Sequence, residues 1–262
     1  MNSPMIDREV YDIIRQKLVD IEKSRGVEIL YAVESGSRAW GFSSQDSDYD
    51  ARFIYRHELK WYLSVLPKRD VIELPVEGDL DINGWDIQKS LFLLNKSNPV
   101  LFEWLKSPII YRKHEAFFEI ISEISQSYFS PIATIYHYLH MASGNYREYL
   151  KGQKVKVKKY FYVLRPVLAC RWVEKLKSQP PMEFQSLVDE IVEEPAIRKI
   201  IEELLVRKMS GKELGEEDQI PELNRYLEAN LEHIKESAAG YNPALKPKQE
   251  TLNEAFHKIL EL

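Results

Sequence analysis

Apolar residues at Ile6, Val10, Ile13, Ile14, Leu18 and Ile21 recur every three or four positions, which predicts an amphipathic helix over 6–21. Asp7 or Ser3 stands where its N-cap belongs, and Gly26 follows just past its end. The pattern then changes: 27–33 is a β-branched and aromatic run, the composition of a buried strand. Small residues dominate 34–41, a turn that opens a short helix. Residues 48–55 predict a second strand, and 71–74 and 80–87 a third and fourth. From Ile87 helical spacing returns, with Leu91, Leu94, Leu101 and Leu105 as apolar positions.

Beyond about Tyr111 strand signals give way to helical ones, over 114–126, 131–151, 155–177, 183–192, 195–210, 221–238 and 247–260. Pro180-Pro181 breaks the chain after one of these, and 211–220 is a loop. Pro166 biases Arg165 away from helical backbone, so a kink or break is expected there. The implied fold class is α+β. Residues 1–112 build a domain on a small mixed β-sheet, and 113–262 an α-helical domain.

Composition narrows the class. The 262 residues are 44% hydrophobic and 29% charged, as in an ordinary globular protein. No apolar stretch nears the roughly 20 residues of a membrane span, so no membrane partner is expected. The first ten residues, MNSPMIDREV, lack the basic and apolar regions of a secretion signal. Cys170 is the single cysteine and lies in an apolar run, which predicts a buried thiol and a reducing, cytoplasmic setting. Nothing in the pattern fixes an oligomeric state.

Charge sharpens this further. A net charge of −5 argues against unselective coating of nucleic acid. Yet 151–177 carries nine Lys/Arg against one acid, while 183–218 carries eleven acids against five Lys/Arg. Lys151, Lys154, Lys158, Tyr162 and Arg165 recur at helical spacing and predict one basic face, with Val157, Phe161, Leu164, Leu168 and Trp172 facing the core. That face is either a solvated surface or a contact for a triphosphate or nucleic-acid backbone. Trp40, Trp61, Trp85 and Trp104 are expected to pack rather than stack on bases, and the histidines show no metal-ligand spacing.

The chemistry concentrates in 36–50, Gly-Ser-Arg-Ala-Trp-Gly-Phe-Ser-Ser-Gln-Asp-Ser-Asp-Tyr-Asp. Asp48 and Asp50 alternate on a predicted strand, so they project from one face with Cα atoms about 7 Å apart. Adjacent carboxylates call for a cation, and Mg²⁺ favours such oxygens together with substrate phosphates. Two ions about 4 Å apart would activate a hydroxyl and stabilise a departing pyrophosphate. Gly36 and Ser37, between the buried strand and a helix start, offer backbone N–H groups and a hydroxyl to a phosphate. Arg38 either pairs with a phosphate or salt-bridges Asp46 or Glu34.

These residues resemble a known signature. Gly-Ser, a second Gly and then Asp-x-Asp in a strand is similar to the motif of the DNA polymerase β superfamily. More narrowly, GSRAWGF…DSDYD followed by DINGWDI and NPVLFEWLKSPIIY resembles the bacterial YcgL/RlaP-like nucleotidyltransferases, by motif over roughly 30–112. Over the helical half the likeness rests mainly on the Lys/Tyr/Arg-rich helix at 155–172.

The resemblance implies a polymerase β-like catalytic domain at 1–112 and a helical domain at 113–262 that closes a nucleotide cleft. It implies two Mg²⁺ ions, or Mn²⁺, on Asp48 and Asp50, and a third carboxylate that helps deprotonate the nucleophile. Asp86 in Trp85-Asp86-Ile87 fits the third position best, with Asp81 and Asp79 as competitors. Gly36 and Ser37 would hold the β- and γ-phosphates, and Arg38, Lys89, Lys158 and Arg165 are further candidate phosphate contacts. The reaction would move a nucleoside monophosphate from an NTP such as ATP to an acceptor hydroxyl and release pyrophosphate. An RNA end is one acceptor, as the family's association with RNA repair suggests; a protein hydroxyl and a small molecule are others. The rival reading is a non-catalytic nucleotide or RNA sensor, distinguished by whether Asp86 or Asp81 reaches Asp48 and Asp50.

Overall fold

Five strands join into one sheet in the computed structural model of the protein, which describes residues 6–211, 215–240 and 248–262. The elements run α1 (Arg8–Arg25), β1 (Glu28–Glu34), α2 (Gly36–Ala39), β2 (Tyr49–Arg56), α3 (Leu59–Tyr62), β3 (Val71–Glu73), β4 (Leu80–Asp86), α4 (Ile87–Asn95), α5 (Pro99–Leu105), β5 (Ile110–Lys113) and α6 (Glu115–Tyr128). Then follow α7 (Pro131–Tyr149), β6 (Lys154–Lys156), α8 (Lys159–Leu176), α9 (Phe184–Ile191), α10 (Pro195–Met209), β7 (Glu216–Asp218), α11 (Pro221–Ala238) and α12 (Gln249–Leu260). Asp7 caps α1, accepting from the Glu9 N–H at 2.8 Å, and Gly26 closes it in left-handed backbone. Ser3, the other candidate cap, lies outside the described residues, as do 212–214 of the expected loop and 247 of the last expected helix.

The sheet order is β3-β4-β2-β1-β5, with β2 and β4 parallel and the other neighbours antiparallel. The class is α+β, as expected. Strand alternation splits the side chains into two layers. Ala51, Phe53 and Tyr55 of β2 and Ile82 of β4 face Ile14, Leu18 and Ile21 of α1. On the other face Ile54 and Val33 meet Leu91, Leu94, Phe102, Trp104, Phe117, Ile121, Leu252 and Ile259 of α4, α5, α6 and α12. A bulge in β1 lets both Leu30 and Tyr31 join this second layer, because Ile29 pairs with Tyr55 while Tyr31 already pairs with Ile54. Alternation therefore assigns Asp50, Arg52 and Ile54 to the second face, along with Asp81, Asn83 and Trp85. Ile82 and Gly84 belong to the first.

The chain forms two compact units. The described residues of Met1–Trp40, Ser47–Phe129 and Leu245–Leu262 make one; Gly41–Asp46 and Ser130–Ala244 make the other. The division does not follow the boundary expected at 112, because the apolar stripes of α6 and α12 complete the sheet's second layer. In the second unit Phe42 packs between Phe161 and Phe184, with ring centroids 4.9 and 5.3 Å away. Its buried polar centre is Tyr160, whose hydroxyl donates to Asn224 Oδ1 at 2.6 Å and accepts from the Ile220 N–H at 2.8 Å.

Short elements escaped the sequence patterns: α3, β5 and the β6–β7 ribbon have three or four residues each, too few to show a period. The ribbon also replaces the expected start of a helix, so Lys154 lies on a strand and the single basic face does not form. Helix α8 runs through Pro166 without ending. Cys170 is fully buried, and its thiol lies 3.5 Å from the Ile135 carbonyl. Among the described residues no helix is long and apolar enough to cross a membrane.

One contact tests the layer assignment. A Cβ on Gly84 would lie 2.3 Å from the Phe53 ring, so glycine lets that ring lie across β4. Gly84→Ala is expected to lower stability by about 2–3 kcal/mol. An unchanged urea midpoint would contradict this packing.

Candidate active site

The turn between β1 and β2 is tied to β2 at its first residues. The Ser35 N–H donates to the Asp50 carbonyl at 2.9 Å, and the Asp50 N–H donates to Glu34 Oε1 at 2.9 Å. Gly36 then takes φ +59°, and a Cβ there would sit 2.0 Å from Asp50 Oδ2. Glycine is required twice over, for its left-handed backbone and for the space the carboxylate occupies. Half-buried Ser37 follows in the single turn of α2, where helix geometry leaves the first N–H groups outside the intrahelical ladder.

Two buried charges brace this turn. Glu34 has no exposure, and the Tyr111 hydroxyl donates to its Oε2 at 2.6 Å. Burial pushes its carboxyl from an ordinary 4.5 up to about 7, against the opposing hydrogen bonds from Tyr111 and the Asp50 N–H. Arg38, also buried, donates to the carbonyls of Ser47 at 2.6 Å and Asp48 at 3.1 Å. Its guanidinium lies 3.7 Å from the centre of the Tyr49 ring. Arg38 thus organises the segment that delivers Asp48, a role the sequence reading did not include.

The parallel register sets Asp50 directly beside Asp81. Asp48, two positions before Asp50, is exposed. Arg52, two positions after it, lies between the acids: Nη2 donates to Asp50 Oδ1 at 2.8 Å and to Asp81 Oδ2 at 2.7 Å. Burial raises the Asp50 pKa most; Arg52 opposes the rise, and Asp81 and Asp48 add to it. The three carboxylates therefore share one electrostatic environment. As donors they supply only hard oxygens, the chemistry that suits Mg²⁺ or Mn²⁺. Among the described residues no three acidic, His or Cys side chains stand pre-assembled as a metal cage. At Asp50 and Asp81 the guanidinium of Arg52 holds the oxygens instead.

Asp86 is placed elsewhere. It lies five residues along β4 from Asp81, about 17 Å at strand spacing. Its side chain caps α4, accepting from the Gln88 N–H at 2.7 Å and the Tyr62 hydroxyl at 2.8 Å. Burial pushes it up to about 6. Asp79 contributes a carbonyl, which accepts from the Tyr49 N–H at 2.7 Å. Lys89 pairs with Asp70 at 3.1 Å, at the Asp86 end of β4. Lys158 and Arg165 belong to the second unit, Lys158 exposed before α8 and Arg165 buried, with Nη2 donating to Met182 Sδ at 3.7 Å.

The sequence reading missed Glu34, Arg52 and Tyr111 as parts of the site. The signal for Glu34 was a charge closing an apolar strand. For Arg52 it was the same two-residue alternation that joins Asp48 to Asp50.

Comparison with known proteins identifies the family. The family described as "RNA repair pathway DNA polymerase beta family", RlaP, matches over residues 10–258. The chain belongs to that family. It is 47% identical over 252 residues to the uncharacterized protein YcgL of Bacillus subtilis (strain 168), covering 95% of this chain and 97% of that one. Among solved structures it is similar to a nucleotidyltransferase-like protein from Exiguobacterium sibiricum 255-15. There the identity is 10% and the TM-score 0.35, over 94% of this chain and 79% of the other. That likeness is too distant to carry over any site residue. Membership of the RlaP family makes the protein nucleotidyltransferase-like.

Two predictions follow from the turn. Gly36→Ala should lower stability by about 1–3 kcal/mol and displace the Asp50 carboxylate; an unshifted denaturation midpoint would count against the contact. Glu34 binds its proton more tightly folded than unfolded, so the stability it contributes is complete below about pH 4.5 and lost as pH rises through about 7. Between pH 5 and 8 the wild type should lose on the order of 2 kcal/mol more than Glu34→Gln. Parallel stability profiles for the two proteins would refute the assignment.

Proposed function

We propose that this RlaP-family chain is a divalent-metal-dependent nucleotidyltransferase whose working carboxylates are Asp48, Asp50 and Asp81. The observation that carries the reading is the side-by-side placement of Asp50 and Asp81 on parallel strands, with Gly36 packed against the Asp50 carboxylate. Asp81 takes the place the sequence offered first to Asp86, whose carboxylate is committed to a helix cap and a buried tyrosine.

In this reading the N–H groups of Gly36 and Ser37, with the Ser37 hydroxyl, receive the β- and γ-phosphates of an NTP. The acceptor hydroxyl oxygen attacks the α-phosphorus, the bond to the β-phosphate oxygen breaks, and pyrophosphate leaves. The hydroxyl proton passes to Asp81. Mg²⁺ or Mn²⁺ held by the three aspartates would offset the negative charge of the triphosphate and the departing pyrophosphate. Arg38 acts by positioning: it fixes the Ser47 and Asp48 carbonyls and so the approach of the Asp48 side chain.

An RNA end is the proposed acceptor. Support comes from the family's description as belonging to an RNA repair pathway. A buried lone thiol and the absence of a membrane-length helix among the described residues agree with work in a reducing cytoplasm. Asp81 beside Asp50 favours transfer over nucleotide sensing alone.

The test is incubation with α-labelled NTPs, Mg²⁺ and short RNAs. Asp48→Asn, Asp50→Asn and Asp81→Asn should each cut transfer at least about 100-fold while melting near the wild type. Asp86→Ala should keep transfer, losing about 1–2 kcal/mol of stability with its cap. Transfer surviving in the Asp81 variant, or vanishing in the folded Asp86 variant, would overturn the assignment.

A further inference from the structure

We propose that Arg52 is a built-in counter-cation that bars divalent metal from Asp50 and Asp81 until a triphosphate draws its guanidinium away. The inference rests on the reading of those two aspartates as metal-binding residues.

Arg52 is held by four hydrogen bonds. Nη2 bridges Asp50 Oδ1 at 2.8 Å and Asp81 Oδ2 at 2.7 Å, while Nη1 donates to the carbonyls of Ala51 at 3.1 Å and Asp81 at 3.0 Å. A single nitrogen thus stands between the two carboxylates, where a cation shared by them would have to bind. The other Asp50 oxygen, Oδ2, is turned against Gly36. Mg²⁺ needs oxygens at about 2.0–2.1 Å and cannot share them with a donor in that place. Metal and guanidinium exclude one another.

What releases Arg52 is set by its chemistry. Its planar fork binds phosphate oxygens in the two-point manner it uses for carboxylates. Its side chain is 15% exposed, less than the 27% of Asp50 and the 33% of Asp81, so the guanidinium is the most enclosed member of the bridge and must swing outward to meet a phosphate. A triphosphate seated at Gly36 and Ser37 offers the competing anion. As Arg52 transfers to it, the carboxylates are freed, and nucleotide and metal load together. Without nucleotide, Arg52 neutralises the pair and metal affinity stays low.

The experiment is nucleotide-free Mn²⁺ binding, read by the electron paramagnetic resonance signal of free Mn²⁺. Arg52→Gln should bind Mn²⁺ at least about tenfold more tightly than the wild type, since two charge-assisted hydrogen bonds no longer compete. Arg52→Lys, which keeps the charge without the fork, should fall between them and guards against misfolding of the first variant. Adding Asp81→Asn to Arg52→Gln should abolish the gain. Wild-type binding with unchanged or weaker affinity in both Arg52 variants would overturn the inference and leave the metal reading standing. Binding by none of the folded proteins would overturn both.

Discussion

The candidate site depends on the parallel pairing of β2 with β4, which brings Asp50 and Asp81 side by side. Two carboxylates so close repel unless positive charge is shared between them. Arg52 supplies that charge from within the same strand, and its bonds to main-chain carbonyls fix where the charge sits. The electrostatic demand that would recruit metal also explains why an arginine occupies the spot. Shifting the register by one residue would send Asp81 to the face packed by α1 and part it from Asp50 and Arg52.

Around that pair the protein holds charge at a cost to its own stability. Glu34 is buried, held by hydrogen bonds from Tyr111 and the Asp50 N–H and eased by the nearby charge of Arg38. The same carboxylate fastens β1 to β2 where the glycine turn begins. Ser107 adds a brace, its hydroxyl donating to the Glu34 carbonyl at 2.5 Å. Polar groups thus hold the turn against the sheet, and Gly36 lets the Asp50 carboxylate lie flush with it. The result is a preorganised edge: the N–H groups of the Gly36–Ser37 turn on one side and clustered carboxylates on the other.

Much of this was legible in the residues because the physics acts locally. The Asp-x-Asp spacing brought Asp48 into the electrostatic surroundings of Asp50, although Asp48 precedes β2, and Gly36 stood out as the turn glycine beside them. The apolar runs revealed α1, β1, β2 and β4, and 3.6-residue periodicity revealed the long helices. The third carboxylate was not legible in the same way. Asp81 and Asp86 both lie in one apolar strand, and only the inter-strand register decides which faces Asp50. Apolar flanks favoured Asp86, but those flanks reflect its burial as a helix cap. The unit boundary failed for a similar reason: α6 and α12 look like their neighbours in sequence, and only tertiary packing assigns them to the sheet. Lys154 shows how a three-residue ribbon overrides helical spacing, since strand pairing with Asp218 removes it from the predicted face.

The most direct test of the central claim is a crystal of the protein soaked with Mn²⁺ and a non-hydrolysable NTP, examined by anomalous scattering at the manganese edge. The account predicts manganese in contact with the carboxylates of Asp50 and Asp81, with Arg52 turned away from them. Manganese at Asp86, or Arg52 still bridging the aspartates beneath a bound nucleotide, would contradict it.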